Sequence, residues 1–367
     1  MIEYVEARNS AFEVIGILDT AQSVIWHSVY YGVGDFQIYI RLQDALQIVA
    51  DARYITRPDN DEVGVIESIL IADDVESGKM ITIKGRFAKS ILDRRIIFSL
   101  SGTSNNAIIL QGNVETNVRR LVNDNAIASR SLDILELGAV AGISKTIVDE
   151  NGDAAQKQVS YENLLEYTEA VLKEYGIAST VKLSGNKLKY TVYEGADRSA
   201  DNTDGNQPII FSKEYDNLLS SEYAHDSTLE KNVALIGGEG EGIDRICVLL
   251  GSKSGLARKE VFIDASSLKK TYKDENDVEK TYTDAEYHAM LKVHGHQVMS
   301  DLKVIEDFNG AIDITNGNWK YGRDVFLGDI VTIQDNDIGV FKNVRLGEVT
   351  EYQDQDGYAV EAVYQGE

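Results

Sequence analysis

Few residues in this chain have the types and spacing to do chemistry. Gly237-Gly238-Glu239-Gly240-Glu241-Gly242 is the densest glycine cluster, and such loops can cradle a phosphate on their backbone N–H groups. A phosphate loop also needs a Lys to offset charge and a helix to follow. Here two Glu stand in the loop, no Gly-Lys-Ser/Thr closes it, and strand-like Ile243 to Leu250 comes next, so it reads as a turn between strands. His288, His294 and His296 are metal-ligand types, but on a helix residues two apart point about 200° from each other. His294 and His296 therefore share no ion unless Gly295 breaks the helix, and a structural or surface role is expected. Asp335-Asn336-Asp337 and Asp354-Gln355-Asp356-Gly357 look like fragments of calcium loops, yet neither has the spaced oxygens and distal Glu of such a loop. They read as turns. The single cysteine, Cys247, sits in the apolar run Ile246 to Leu250 and is expected to be a buried, inert thiol. With one cysteine, an intramolecular disulfide and a zinc site on paired cysteines are both excluded.

No Gly-x-Ser-x-Gly elbow or His-Glu-x-x-His motif occurs. The 60 carboxylates must include pairs able to cleave a glycosidic bond once folded, but no spacing singles one out. Catalytic residues, metal ligands and cofactors are accordingly expected to be absent. What remains is aromatic: Trp26, Tyr30, Tyr31, Trp319 and Tyr321. Trp26, Tyr31, Trp319 and Tyr321 are the candidates for an interface or glycan contact, while core packing is the commoner use of such rings.

The charge narrows the partners. Against 36 basic residues the 60 acidic ones leave −24, too acidic for ordinary nucleic-acid binding without a segregated basic stripe, and none is evident. Runs such as Ala107 to Leu110 fall far short of the roughly 20 apolar residues that span a bilayer, and Met1 to Glu6 is acidic where a signal peptide would be basic. With 43% hydrophobic residues over 367 positions, two or more cored domains are expected. Thirty glycines against two prolines, Pro58 and Pro208, suit strands joined by glycine turns.

The elements that must position these residues follow from periodicity. Phe12 to Ile17, Phe36 to Ile40, Val63 to Ile71 and Met80 to Ile83 alternate as strands, with Glu76 to Lys79 as a turn, giving a barrel or sandwich. Val114, Val118, Leu121 and Val122 then define one face of a helix starting near Asn113. A second helix is read with Ser160 as N-cap and Gly176 as its stop, followed by a hairpin turning at Ser184 to Lys187. The polar stretch 194–207 marks a boundary or loop. Strands follow at Val233 to Ile236, Arg245 to Leu250 and Val261 to Asp264, then a polar tip at Asp274 to Asp277. Thr283-Asp284-Ala285-Glu286 is a capping box opening a third helix, after which strands resume at Ala311 to Ile314, Asp329 to Ile333, Val340 to Val349 and Tyr358 to Val363. The class is α+β and β-rich.

Three blocks together resemble the siphophage tail-hub proteins. They are Ser23 to Trp26 with Tyr30 to Tyr39; Gly64 to Ile69 with Ile81 to Arg86 and Ser90 to Ile97; and Gly238 to Gly242 with Arg258 to Ala265 and Tyr321 to Val331. The resemblance implies a fold similar to the contractile-phage baseplate hub: two tube-like β-barrel domains, an intervening mixed α/β domain and a helical insertion. On this sequence those are residues 1–100 for the first β-domain, 101–208 for the mixed domain, 209–265 and 308–367 for the second β-domain, and 266–307 for the insertion. It further implies a structural, non-enzymatic homotrimer at the virion tail tip, made in the bacterial host cytoplasm. Its implied partners are the tail tube or distal tail proteins and tip fibres or receptor-binding proteins, and DNA passes without specific binding and without a membrane anchor. Hub proteins with long C-terminal extensions carry peptidoglycan-cleaving or fibre domains, whereas this sequence ends in strand-like Tyr358 to Val363. A tail-associated cell-wall hydrolase and a carbohydrate-binding tail module are the alternatives.

Overall fold

The computed structural model describes residues 1–74, 78–98, 107–149, 151–273, 278–312, 319–337 and 339–366. The tip at Asp274 to Asp277 lies outside the described residues, as do parts of the expected 76–79 turn and 311–314 strand.

The first strands are β1 (Glu6–Arg8), β2 (Val14–Ile17), β3 (Ser23–Val29) and β4 (Asp35–Arg41). In β3 and β4 the alternation is strict, with Val24, Trp26, Phe36, Ile38 and Ile40 all buried. Helix α1 (Leu42–Asp51) packs Ala45 and Val49 against this face, and β5 (Tyr54–Arg57), β6 (Asn60–Val65), β7 (Ser68–Asp74) and β8 (Gly78–Arg86) complete the unit. The run from Val63 to Ile71, expected as one strand, is two. Val63 and Val65 lie in β6, and Ile69 and Ile71 lie in β7 of a different sheet. Ile66 and Glu67 carry the chain across, their amides bonded to Arg53 O and Lys84 O, each at 3.0 Å. Apolar residues stand on both sides of the crossing, at Val63, Val65, Ile69 and Ile71, with Glu67 the one break in the series at the point where the chain changes sheet. Gly85 is what lets the sheets approach here, since a Cβ on it would stand 1.7 Å from Val65 O.

The middle of the chain holds β9 (Ile108–Gln111), α2 (Val114–Val122), β10 (Leu135–Leu137), β11 (Gln156–Val159), α3 (Leu164–Glu174), β12 (Ala178–Ser184) and β13 (Lys187–Tyr193). Asn113 caps α2, accepting from Thr116 N at 2.9 Å, and Val114, Val118, Leu121 and Val122 are buried as their spacing requires. Helix α3 starts later than expected. Its cap is Asn163, not Ser160: Asn163 Oδ1 accepts from Leu165 N and Glu166 N, while its Nδ2 donates to Asp93. Tyr161 N donates to Ile97 O, which holds the intervening residues outside the helix. Gly176 ends α3 with φ +70°, as a helix C-terminus favours.

The last part comprises β14 (Ile210–Ser212), β15 (Leu218–Asp226), β16 (Val233–Gly237), β17 (Cys247–Leu250), β18 (Glu260–Asp264), β19 (Thr271–Lys273), β20 (Glu279–Thr281), α4 (Asp284–Met299), β21 (Ile305–Ile312), β22 (Ile330–Asp335), β23 (Val340–Gln353) and β24 (Tyr358–Gly366). The capping box that opens α4 is formed, Glu286 N donating to Thr283 Oγ1 and Thr283 N to Glu286 Oε2. Strands β17-β16-β18 form their own three-stranded sheet, which packs on α4 through Ala234, Ile236, Leu250 and Leu291.

Two large sheets organise the rest. A seven-stranded sheet runs β10-β13-β12-β6-β5-β1-β2. A ten-stranded sheet runs β15-β21-β24-β23-β3-β4-β8-β7, with β22 on β23 and β14 on β22. Strands from both ends of the chain therefore share one sheet, joined where β23 pairs β3 with Thr350 opposite His27. Among the described residues this strand order is open at β7 and at β15 rather than closed into a barrel. No helix of the described residues is long and apolar enough to cross a membrane.

Candidate functional site

The junction of β3 and β23 carries a set of linked charged groups, among them the buried Arg57 and Glu351. His27 on β3 bridges two carboxylates, Glu348 of β23 at Nε2 (3.1 Å) and Asp35 of β4 at Nδ1 (3.1 Å). The Glu348 hydrogen bond, aided by Asp35, lifts the imidazole to about 9 in spite of its partial burial, so it carries a proton at neutral pH. One layer inward, Arg57 of β5 makes a bidentate pair with Glu351 of β23 at 2.9 and 3.0 Å, and a second with Asp59 at 3.0 and 2.7 Å. Tyr358 of β24 donates to Glu351 at 2.6 Å. Burial alone would push Arg57 down; the two carboxylates more than offset it and hold the guanidinium charged.

Tyr30, just after β3, ties three parts of the fold together. Its hydroxyl donates to Gly176 O at the end of α3 and accepts from Gly195 N, both at 3.1 Å. Its amide donates to Gly347 O, the Arg345 guanidinium sits 5.2 Å over its ring, and the Tyr193 ring meets it edge-on at 5.4 Å. Gly328 must be glycine beside it: φ is +94° and a Cβ would lie 2.2 Å from the Tyr30 ring.

Beside this junction opens a cleft of about 770 Å³, bounded by β5–β6, by the β12–β13 hairpin and by the 320–327 segment. Glu62 of β6 lies on its wall, accepting from Ser28 Oγ at 2.5 Å. Burial pushes this carboxyl up to about 7, against the opposing pull of the Ser28 hydroxyl and the Lys89 ammonium. Burial likewise raises the Tyr193 and Tyr321 phenols far above their ordinary value, so both keep their protons.

The four aromatic candidates are dispersed. Trp26 is fully buried in the first core, 4.8 Å from the Phe87 ring and 6.0 Å from Phe36, with the Arg57 guanidinium over it, and presents no surface to a partner. Tyr31 is partly buried against Tyr30, with ring centroids 4.7 Å apart. Trp319 and Tyr321 both pack on the core of β22–β24, and Tyr321 also lines the cleft. Glu62, Arg57 and Glu351 went unmarked in the sequence. Asp59-Asn60-Asp61 reads as a polar turn, and only chain folded from far away buries the carboxyl beside it.

The other chemically capable residues are accounted for locally. In the glycine loop, Gly238 N donates to Ile246 O and Glu239 N to Tyr287 Oη, while Arg245 covers Gly237 and donates to its carbonyl. Those amides face the protein rather than an anion, as a turn between β16 and β17 requires. His294 lies on α4 and is held down to about 4 by burial and the nearby Lys157, hence neutral; His288 and His296 are exposed. Among the described residues no group of three or more His, Cys, Asp and Glu is placed to hold a metal. The Asp354 to Gly357 segment turns β23 into β24, with Asp356 N and Gly357 N donating to Asp354 Oδ1. Cys247 is exposed, contrary to expectation. The three-stranded sheet buries one face only, and Cys247 and Leu249 alternate onto the other while Leu250 points inward.

The fold is that of prophage tail proteins. The chain is similar to a tail protein from Neisseria meningitidis MC58, with a TM-score of 0.59 and 12% identity over 99% of this chain and 96% of that one. It is similar to a 43 kDa tail protein of prophage MuSo2 from Shewanella oneidensis (TM-score 0.55, 11% identity, 98% and 97% of the two chains). A third likeness is to prophage tail protein gp18 from Listeria monocytogenes EGD-e (0.51, 11%, 99% and 94%). By sequence, the chain belongs to the Siphovirus ReqiPepy6 Gp37-like protein family, whose model matches residues 4–364. No curated protein matches it significantly.

Proposed function

We propose that this protein is a structural, non-enzymatic hub of a phage or prophage tail. In this reading three copies close into a ring at the distal tail, joining the tube to the tip fibres or receptor-binding proteins and surrounding the path of the DNA. Residues 1–100 and the paired segments 209–265 and 308–367 supply two tube-like β units per copy, so a trimer presents six. Residues 101–208 and the insertion 266–307 lie outside that repeat. The protein is made in the bacterial host cytoplasm and resides at the virion tail tip.

The observation that carries this reading is the pair of unpaired edges at opposite ends of the ten-stranded sheet. Strand β7 pairs only β8, and β15 pairs only β21, among the described residues. Edge strands are normally blunted or covered, because their free N–H and C=O groups template pairing with another chain. Here β7 instead presents Ile69, Leu70 and Ile71, exposed at 45, 61 and 53%. Two different edges on one sheet suit a heterologous, head-to-tail contact, which makes a closed ring when the rotation per copy is one third of a turn. The charge suits a conduit: three copies carry roughly three times the −24 of one chain, which disfavours adsorption of passing phosphates. Native mass spectrometry of the full chain and of Leu70→Lys, at rising concentration, tests the ring. A trimer that Leu70→Lys returns to monomer supports it; a monomer at all concentrations and on isolated tails counts against it.

A further inference from the structure

The cleft at the junction of the β units has features that a framework role does not require. Its volume, about 770 Å³, is that of a small-molecule site rather than a packing defect. Much of its charge is paired, Arg57 to Asp59 and Glu351, Lys182 to Asp61 at 2.8 Å and Arg323 to Asp324 at 2.6 Å, with Lys320 and the Met1 amino group also on the lining. In a chain of net charge −24, the wall sets four basic side chains, Arg57, Lys182, Lys320 and Arg323, against four acidic ones, Asp59, Asp61, Glu62 and Glu351. Between the pairs lie groups that hydrogen-bond without a full charge: Asn60, Thr180, Thr191 and the phenol of Tyr193. The Glu62 carboxyl joins them, burial favouring its protonated form. At the rim stands an apolar ring, Phe326, 45% exposed, next to the partly buried Tyr321.

We propose that this cleft binds a neutral, hydroxyl-rich saccharide. The ring of Phe326 covers the C–H face of a sugar, while Asn60, Thr180, Thr191, Tyr193 and Glu62 exchange hydrogen bonds with its hydroxyls. Neutral sugars have no charge to satisfy and many donors and acceptors in alternation, which the Thr180, Thr191 and Tyr193 hydroxyls and the Asn60 amide N–H can meet, while Asn60 Oδ1 already accepts from Glu62 N and Glu62 Oε2 from Ser28. A polycation would meet Lys320, Arg323 and the Met1 amino group on the same wall, and a phosphate would have to displace Asp59, Asp61 and Glu351 from the cations they hold. The inference concerns a single chain and does not rest on the ring, so a failure to trimerise leaves it standing.

The test uses the full chain and two probes, chitotetraose and maltotetraose, followed by calorimetry and saturation-transfer NMR, with glucose 6-phosphate as the charged comparison. At least one tetrasaccharide should bind saturably and compete for the cleft. Phe326→Ala should weaken that binding about tenfold or more, the scale of one lost aromatic contact, with the melting temperature unchanged. Because Phe326→Ala could disturb the 320–327 segment, Tyr193→Phe serves as a second variant: it keeps the ring and removes the hydroxyl, and should weaken binding several-fold, roughly the worth of one hydrogen bond. No saturation by either tetrasaccharide, tighter binding of the phosphate, or affinity unchanged in both variants would overturn the proposal.

Discussion

Replacing Glu62 by Gln tests how the junction is built. The carboxyl is held at about 7 against an ordinary 4.5, so the folded protein binds this proton more tightly than the unfolded chain. Below pH 4.5 both states are protonated and the group contributes nothing to the difference between them. Between 4.5 and 7 the unfolded chain ionises while the folded one does not, and stability falls with rising pH. Above 7 both are ionised, and the folded state carries the full burial penalty, about 3 kcal/mol at about 1.4 kcal/mol per pH unit. Gln keeps the shape and can still accept from Ser28, but it does not ionise. Relative to the parent, Glu62→Gln should therefore gain about 2–3 kcal/mol between pH 5 and pH 8.5, whatever its offset at pH 5. Urea unfolding followed by tryptophan fluorescence is a suitable assay, because Trp26 is buried in the first β unit, whose β6 carries Glu62. An offset between variant and parent that is the same at both pH values would refute the reasoning.

His27 has the opposite sign of contribution. Its folded value of about 9 exceeds the ordinary 6.5, so its stabilisation is complete below pH 6.5 and lost as pH rises through 9. His27→Gln should lose about 1–2 kcal/mol at pH 6 after allowance for solvent screening of the partly exposed pair, and the deficit should close by pH 10 in the same urea assay. Gly328→Ala should cost about 3 kcal/mol or more, because both the backbone angle and the Tyr30 ring oppose a side chain, whereas Gly205→Ala, at φ +77° with open space around it, should cost about 1 kcal/mol. Calorimetric melting of the two variants measures the difference. Cys247, being exposed, should react with one equivalent of Ellman's reagent in the native protein; a thiol silent until denaturation would restore the buried reading.

What the sequence made legible was local. Asn113, the Thr283–Glu286 box and the Ser184 to Lys187 turn are short-range devices, closed within a few residues, and each is found in place. Helix α3 starts three residues beyond the Ser160 expected as its cap, because Asn163 is fixed there by a second bond, to Asp93, 70 positions away. Cys247 was misjudged for a related reason. An apolar run in a strand looks the same whether one face or two are covered, and β17 has cover on one side only. The split of Val63 to Ile71 between sheets, and the value of Glu62, are likewise set by residues distant in sequence.

The same distance explains why the junction joins the two β units so firmly. Strands β3 and β23 are separated by more than three hundred residues, yet the His27–Glu348 bridge ties them side chain to side chain, while Arg57–Glu351 fastens β23 to β5 and the Tyr30 hydroxyl fastens the end of β3 to Gly176 and Gly195. A backbone ladder alone could slip in register, but a one-residue slip would turn His27 away from Glu348. If three copies form a ring, β7 and β15 are the edges of the ten-stranded sheet left to be joined among the described residues, since β3 and β23 already pair within each copy.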